Sequence, residues 1–146
     1  MKHKTRICLI VNGKERDYIV PDNILLVDWL REELGLTGTK IGCDGGECGC
    51  CTILIDDQPQ HACLTLAASC SNTTIETIEY LNKSGRLSPI QRGFHEKHGS
   101  QCGFCTPGFI MAAEGLLRSN SDPTYKEIKR TKIEEELDNQ RYVGML

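Results

Sequence analysis

The sequence predicts an α+β fold in two parts, a β-rich domain over residues 1–80 and a helical domain over residues 81–146. Three observations carry this. Short stretches of alternating apolar and polar residues, each closed by a turn signal, fill the first part. A loop dense in glycine and cysteine, Gly38–Gly49, interrupts them. After Tyr80 the apolar spacing lengthens to three and four residues and helix-capping signatures appear.

Thr5–Val11 alternates and is rich in β-formers. Asn12-Gly13 is a strong hairpin signal, and Lys14–Val20 is the expected returning strand. Pro21-Asp22 ends it. Asn23–Leu34 is expected as a helix that buries Leu26, Trp29, Leu30 and Leu34 and stops at Gly35. Thr52–Ile55 reads as a short strand, Asp56-Asp57 as a turn and Gln60–Cys63 as the partner strand. Leu64–Cys70 reads as a short helix and Thr73–Ile78 as a closing strand. Asn82–Arg86 is polar and holds a glycine, as linkers do. Ser88-Pro89-Ile90-Gln91 is a capping box with proline in the first turn. It opens a helix expected to reach His98 and stop at Gly99. Thr106-Pro107 opens the next, with Ile110, Ala113, Leu116 and Leu117 inward. Thr124 and Glu127 offer a third capping box, before a helix over Lys126–Gln140.

The net charge of −3 over 146 residues leaves no electrostatic footprint for nucleic acid, and aromatic residues at 5% leave few stacking platforms. The basic start at Lys2, Lys4 and Arg6 precedes only five apolar residues, Ile7–Val11, too few for a signal-peptide core. No stretch approaches a membrane span. A cytoplasmic protein without membrane insertion is therefore expected. Nine cysteines are the outlying feature. Their odd number argues against a closed disulfide set and for reduced thiols that bind metal.

Cys43, Cys48, Cys51 and Cys63 read C-x4-C-x2-C-x11-C. That is the plant-type [2Fe–2S] pattern, three thiolates on one loop and a distant fourth. Gly42, Gly45, Gly46 and Gly49 are expected to give the loop positive φ and close approach, freeing N–H groups to point at sulfur. Structural zinc also takes four thiolates, but it favours two well-separated C-x2-C knuckles. A Rieske centre needs two histidines, and only His61 is near. Cys50 falls between two ligands and should point away.

Cys102 and Cys105 form a second C-x2-C pair. Alone, such a pair fits a core turn or half a zinc knuckle as readily as a cluster. Its placement adds something: Thr106 is expected to cap the next helix, turning the positive helix end toward the thiolates. Cys8 and Cys70 are expected in the core. His95 with His98, and Glu134–Glu136, read as solvated helix faces.

Residues 38–52, GTKIGCDGGECGCCT, resemble the first cluster motif of the molybdenum hydroxylases, the xanthine oxidase family. Residues 101–108, QCGFCTPG, resemble its second motif, and the likeness spans roughly residues 5–130. The resemblance implies a β-grasp, plant-type ferredoxin-like domain followed by a helical bundle with another [2Fe–2S] cluster, ligated in part by Cys102 and Cys105. It implies an electron-transfer subunit, itself not catalytic, between a large molybdopterin-binding subunit and a medium FAD-binding subunit. Gln101 would contact the pterin. Val20-Pro21-Asp22-Asn23, residues 35–40 (GLTGTK), Asp56-Asp57 and Phe94-His95-Glu96-Lys97 are similar to the small subunits of the 4-hydroxybenzoyl-CoA reductase branch, where ferredoxin is a candidate electron donor; the small subunits of carbon monoxide, xanthine and nicotinate dehydrogenases share the main motifs and are the alternative within the family.

One departure matters. The family's bundle cluster takes two further thiolates from a C-R-C-T-G-Y stretch, and no cysteine follows Cys105 here. The helical domain is thus expected to be truncated, with a loose tail. A degenerate tail, a frameshift and completion by a partner all remain open. Two other classes compete: a free ferredoxin-like carrier, which needs neither the helical half nor Gln101, and a zinc-stabilised interaction module, which would be colourless.

Overall fold

The structure is a computed structural model, and residues 3–82 and 84–131 are the ones it describes. The expected helix beyond residue 131, the acidic run Glu134–Glu136 and the tail lie outside them.

The first half is a β-grasp. Strands β1 (Lys4–Val11) and β2 (Lys14–Pro21) form an antiparallel hairpin across Asn12 and Gly13, both at positive φ (51° and 74°). Two left-handed residues make the turn whose twist matches the strands, hence the Asn-Gly pair. Strand β3 (Thr52–Ile55) pairs antiparallel with β4 (Gln58–His61), and β5 (Thr74–Glu76) completes the mixed sheet in the order β2-β1-β5-β3-β4. The β1–β5 pair is parallel. Pro21 closes β2 at a sheet edge, where its missing N–H costs no ladder bond.

The helix that packs on this sheet starts later than expected. It is one α-helical turn, α1 (Leu26–Asp28), running into a π-helical turn over Trp29–Glu33, where Leu34 N donates to Trp29 O. The wider turn still buries Leu26, Trp29 and Leu30 and ends at Gly35 with φ +67°, while Leu34 stays half-buried. Trp29 meets Tyr18 edge-on, centroids 5.6 Å apart. Around it pack Ile7, Leu9, Val11, Val20, Ile53 and Ile75, each contributing about 1.5–3 kcal/mol through burial. With Ile7, Leu9 and Val11 inward, strand alternation puts Cys8 outside: it is exposed, not a core residue, whereas Cys70 is buried.

Three other boundaries move. The partner strand is Gln58–His61, so Cys63 leaves the sheet and sits in a 3₁₀ turn, Ala62–Leu64. The expected helix over Leu64–Cys70 shrinks to a 3₁₀ turn at Ala67–Cys70. The closing strand stops at Glu76, because Thr77 turns inward, fully buried, to exchange hydrogen bonds with the Asn12 side chain (2.9 Å each).

The second half holds α2 (Pro89–Glu96), α3 (Thr106–Ser119) and α4 (Tyr125–Thr131). Ser88 and Gln91 form the expected capping box, as do Thr124 and Glu127. The left-handed residue that ends α2 is His98 (φ 52°), one before the expected Gly99. Ile90, Phe94, Ile110 and Ala113 make a second apolar cluster, which Ile78 and Leu81 join from the chain before α2. Helix α3 lies on the sheet through a face of small residues. A Cβ on Gly115 would collide with Pro59 (2.8 Å to Cδ) and Leu54 (2.9 Å). One turn on, Arg118 donates to Asp57, Glu76 (2.7 Å) and Glu114 (3.2 Å), tying α3 to the β3–β4 turn and to β5. Burial opposes the Arg118 charge, but these three carboxylates outweigh it and raise its pKa.

Candidate metal centre

The loop between α1 and β3 hangs from fixed points. Arg31 donates to the carbonyls of Thr37 (3.0 Å) and Thr39 (2.7 Å), and Gly38 N donates to Glu79 (2.8 Å). From there the chain folds back on itself. The N–H groups of Gly45, Glu47 and Cys48 all point at Cys43 Sγ, at 3.4, 3.3 and 3.3 Å. They favour the anionic sulfur, and Cys48 followed by Gly45 and Glu47 pulls the exposed Cys43 thiol down to about 7. Such amide donors are what thiolate-bound clusters use to set their potential.

Only two of the four loop glycines have positive φ, Gly46 (79°) and Gly49 (65°); Asp44 supplies a third such residue (56°). Gly42 is needed for space instead, since a Cβ there would sit 2.8 Å from Cys48 Sγ and 3.1 Å from Cys50 Sγ. Gly46 runs beneath Leu64, which is 65% exposed and covers the loop. Gly45 shows neither requirement.

Cys51 and Cys63 line the inner side and are buried, at 2% and 5% exposure. Burial pushes the Cys51 thiol up to about 11, against the opposing Cys63 N–H. Cys51 and Cys63 would hold iron as thiolates despite that preference, because a coordinated thiol is deprotonated. Cys50 is also buried, and its thiol lies next to that of Cys48, both crowding the space at Gly42. Its thiol faces the Cys48 carbonyl at 3.9 Å, and burial raises it to about 12. The donor set and the cradle fit a [2Fe–2S] cluster: four thiols, an amide cage at the exposed end, and glycines where a side chain would fill the space. Among the described residues no three His, Cys, Asp or Glu side chains converge on one point as ligands of a single ion would.

The second pair is built differently. Cys102 is exposed and Cys105 half-buried. Gly103 turns the chain between them at φ +82°. Cys105, rather than Thr106, is the N-cap of α3, so a thiol itself sits at the helix end. Burial raises the Cys105 pKa. Two thiols are half the set such a cluster needs, and the described residues bring no third cysteine beyond α3. Gln101 lies exposed beside Cys102, and Phe104 between the two cysteines is 47% exposed.

Comparison with known proteins agrees with both halves. Residues 9–71 match the 2Fe-2S iron-sulfur cluster binding domain family, and residues 77–139 match the [2Fe-2S] binding domain family. The chain is 47% identical over 114 residues to caffeine dehydrogenase subunit gamma of Pseudomonas sp. (strain CBB1), covering 78% of this chain and 68% of that one. It is 43% identical over 126 residues to the nicotinate dehydrogenase small FeS subunit of Eubacterium barkeri, covering 86% and 80%. It superposes on quinoline 2-oxidoreductase from Pseudomonas putida 86 with a TM-score of 0.89 at 39% identity, covering 97% of this chain and 90% of that one.

Proposed function

Because the chain belongs to the small iron–sulfur subunits of molybdenum-hydroxylase-type dehydrogenases, we propose that it relays single electrons between an FAD-binding medium subunit and a molybdopterin-binding large subunit. The observation that carries this is the presence of two thiol sets on one framework. The Cys43, Cys48, Cys51 and Cys63 loop packs against α3, and α3 begins at the second pair. A free carrier needs one set only. We assign the first cluster to those four cysteines, Cys102 and Cys105 to the second centre, and the pterin contact to Gln101, with the boundary between the two domains near residue 80. A bound [2Fe–2S] cluster supplies a one-electron couple; the chain supplies the thiols, the amide donors and the shielding. Exposed Ile41, Leu64 and Phe104 flank the two thiol sets and fit a subunit that sits between partners in the cytoplasm.

The substrate reading rests on the short stretches similar to the 4-hydroxybenzoyl-CoA reductase branch. In it, electrons run inward to molybdenum from a low-potential donor such as ferredoxin. The relatives named above favour a second reading, a dehydrogenase of aromatic N-heterocycles. Co-expression with neighbouring molybdopterin and FAD subunits tests both. A stable ternary complex is expected, and dehydroxylation of 4-hydroxybenzoyl-CoA decides for the first substrate. Oxidation of nicotinate or xanthine without thioester activity decides for the second. A chain that ignores both subunits and reduces generic acceptors alone is a free carrier.

A further inference from the structure

Gly108, in the helical half, touches the cluster loop of the other half. A Cβ on Gly108 would fall on the Gly49 carbonyl oxygen and 2.9 Å from Cys50 Cα and 3.0 Å from Cys50 C. These are backbone atoms, so no rotamer change relieves the clash. The same peptide is held from its other sides. Thr52 donates to Gly49 O twice, from its N–H (3.1 Å) and its hydroxyl (2.7 Å), and Lys40 N donates to Cys50 O (3.3 Å). The clamped Gly49–Cys50 segment joins Cys48 directly to Cys51.

We infer that Gly108 is a positioning residue for the [2Fe–2S] centre of the β-grasp half, acting through the Gly49–Cys50 backbone. The bare Cα surface of α3 presses this segment into the conformation that aims Cys48 and Cys51 at the iron and Cys48 N at sulfur. The helical half thereby helps set the redox potential of a cluster it does not ligate. This rests on the assignment of the cluster to Cys43, Cys48, Cys51 and Cys63, but not on the second centre or on any partner subunit.

Gly115 supplies the control. It lies on the same face of α3, two turns along, and the atoms nearest a Cβ there belong to the Pro59 and Leu54 side chains. Both G108A and G115A should loosen the helix–sheet contact. Only G108A should change the g values of the dithionite-reduced first cluster and favour its oxidised form, as amide–sulfur bonds lengthen. The oxidised-to-reduced ratio at fixed potential should rise about tenfold, which is ~59 mV for one electron. Both readouts are independent of yield, so partly folded preparations still report. If G108A gives no folded protein, T52V replaces it: it removes one bond on the Gly49 carbonyl and should move the same g values by less. Unchanged spectra and potential in G108A, or in T52V where it stands in, overturn the inference. Equal shifts in G108A and G115A also overturn it, since a general loosening would then explain both. A wild-type chain with no [2Fe–2S] signal overturns the cluster assignment and this inference together.

Discussion

The two thiol sites of this chain differ in how much of the protein surrounds them. The first has two buried thiols, an exposed one held by three N–H groups, glycines placed for space, and a clamp from α3. The second has two thiols at the start of α3, one exposed and one half-buried. The contrast teaches that the fold itself supplies most of what surrounds the first site. At the second, the described residues place two thiols at the edge of α3.

Removing one ligand from each site should break this contrast most visibly. Cys51→Ser or Cys63→Ser puts a poor ligand at a buried position and should remove most of the cluster signal. It should also destabilise the β-grasp half, since metal binding and folding are linked. Cys102→Ser and Cys105→Ser should leave that signal intact. Cys50→Ala should leave it too, and its loss there would show that Cys50 rather than Cys51 is the ligand. Iron analysis and paramagnetic resonance on each variant give the answer.

Metal stoichiometry sharpens the same contrast. A [2Fe–2S] cluster takes four protein ligands, and among the described residues the second site offers two thiols. The chain with this sequence should therefore carry about two irons, not four. Four irons with two distinct paramagnetic signals would show that other groups complete the second site in the isolated chain.

The framework between the sites should respond more modestly. Arg118→Ala deletes three ion pairs and leaves Glu76 and Glu114, both largely buried, without their cation. The loss should be about 1–3 kcal/mol, seen as a lower urea midpoint at unchanged slope, with the first cluster's g values unmoved. A shift in those values would show that the latch, too, reaches the cluster.

How much of this was legible depended on range. The Asn12-Gly13 turn, the Ser88–Gln91 box and the Thr124–Glu127 box are local chemistry, and each stands where the residues place it. The cysteine spacing is local as well, and the donor set we propose is read from it. The π-helical turn at Trp29–Glu33 is not local, because Trp29 is seated against Tyr18 across the hairpin. Cys63 leaves the sheet because β4 registers two residues earlier than its composition indicates. The exposure of Cys8 was available from simple alternation with Ile7 and Leu9, but an apolar run hides the parity. The contacts of Gly108 and Gly115, and those of Arg118 with Asp57 and Glu76, join segments about forty residues or more apart. Nothing in the immediate sequence around them announces a partner.

The smallest expected effect compares single thiols in metal-free protein. Cys43 is held down to about 7 by the N–H groups of Cys48, Gly45 and Glu47, whereas burial raises Cys105. A thiol alkylates through its thiolate. Iodoacetamide labelling of Cys43 should thus climb through about pH 7, and Cys105 should lag until distinctly higher pH. The signs of the linked stabilities are opposite. The lowered Cys43 pKa favours the fold above the pKa of the unfolded thiol, and that contribution fades as pH falls through about 7. The raised Cys105 pKa favours the fold below the unfolded value and fades as pH rises through the folded one. In urea both differences vanish, because the loop amides and the α3 packing are gone. Mass-spectrometric labelling against pH, with and without urea, checks this site by site. Matching profiles for Cys43 and Cys105 in the native protein would mean that the amide cage does not form until iron is bound.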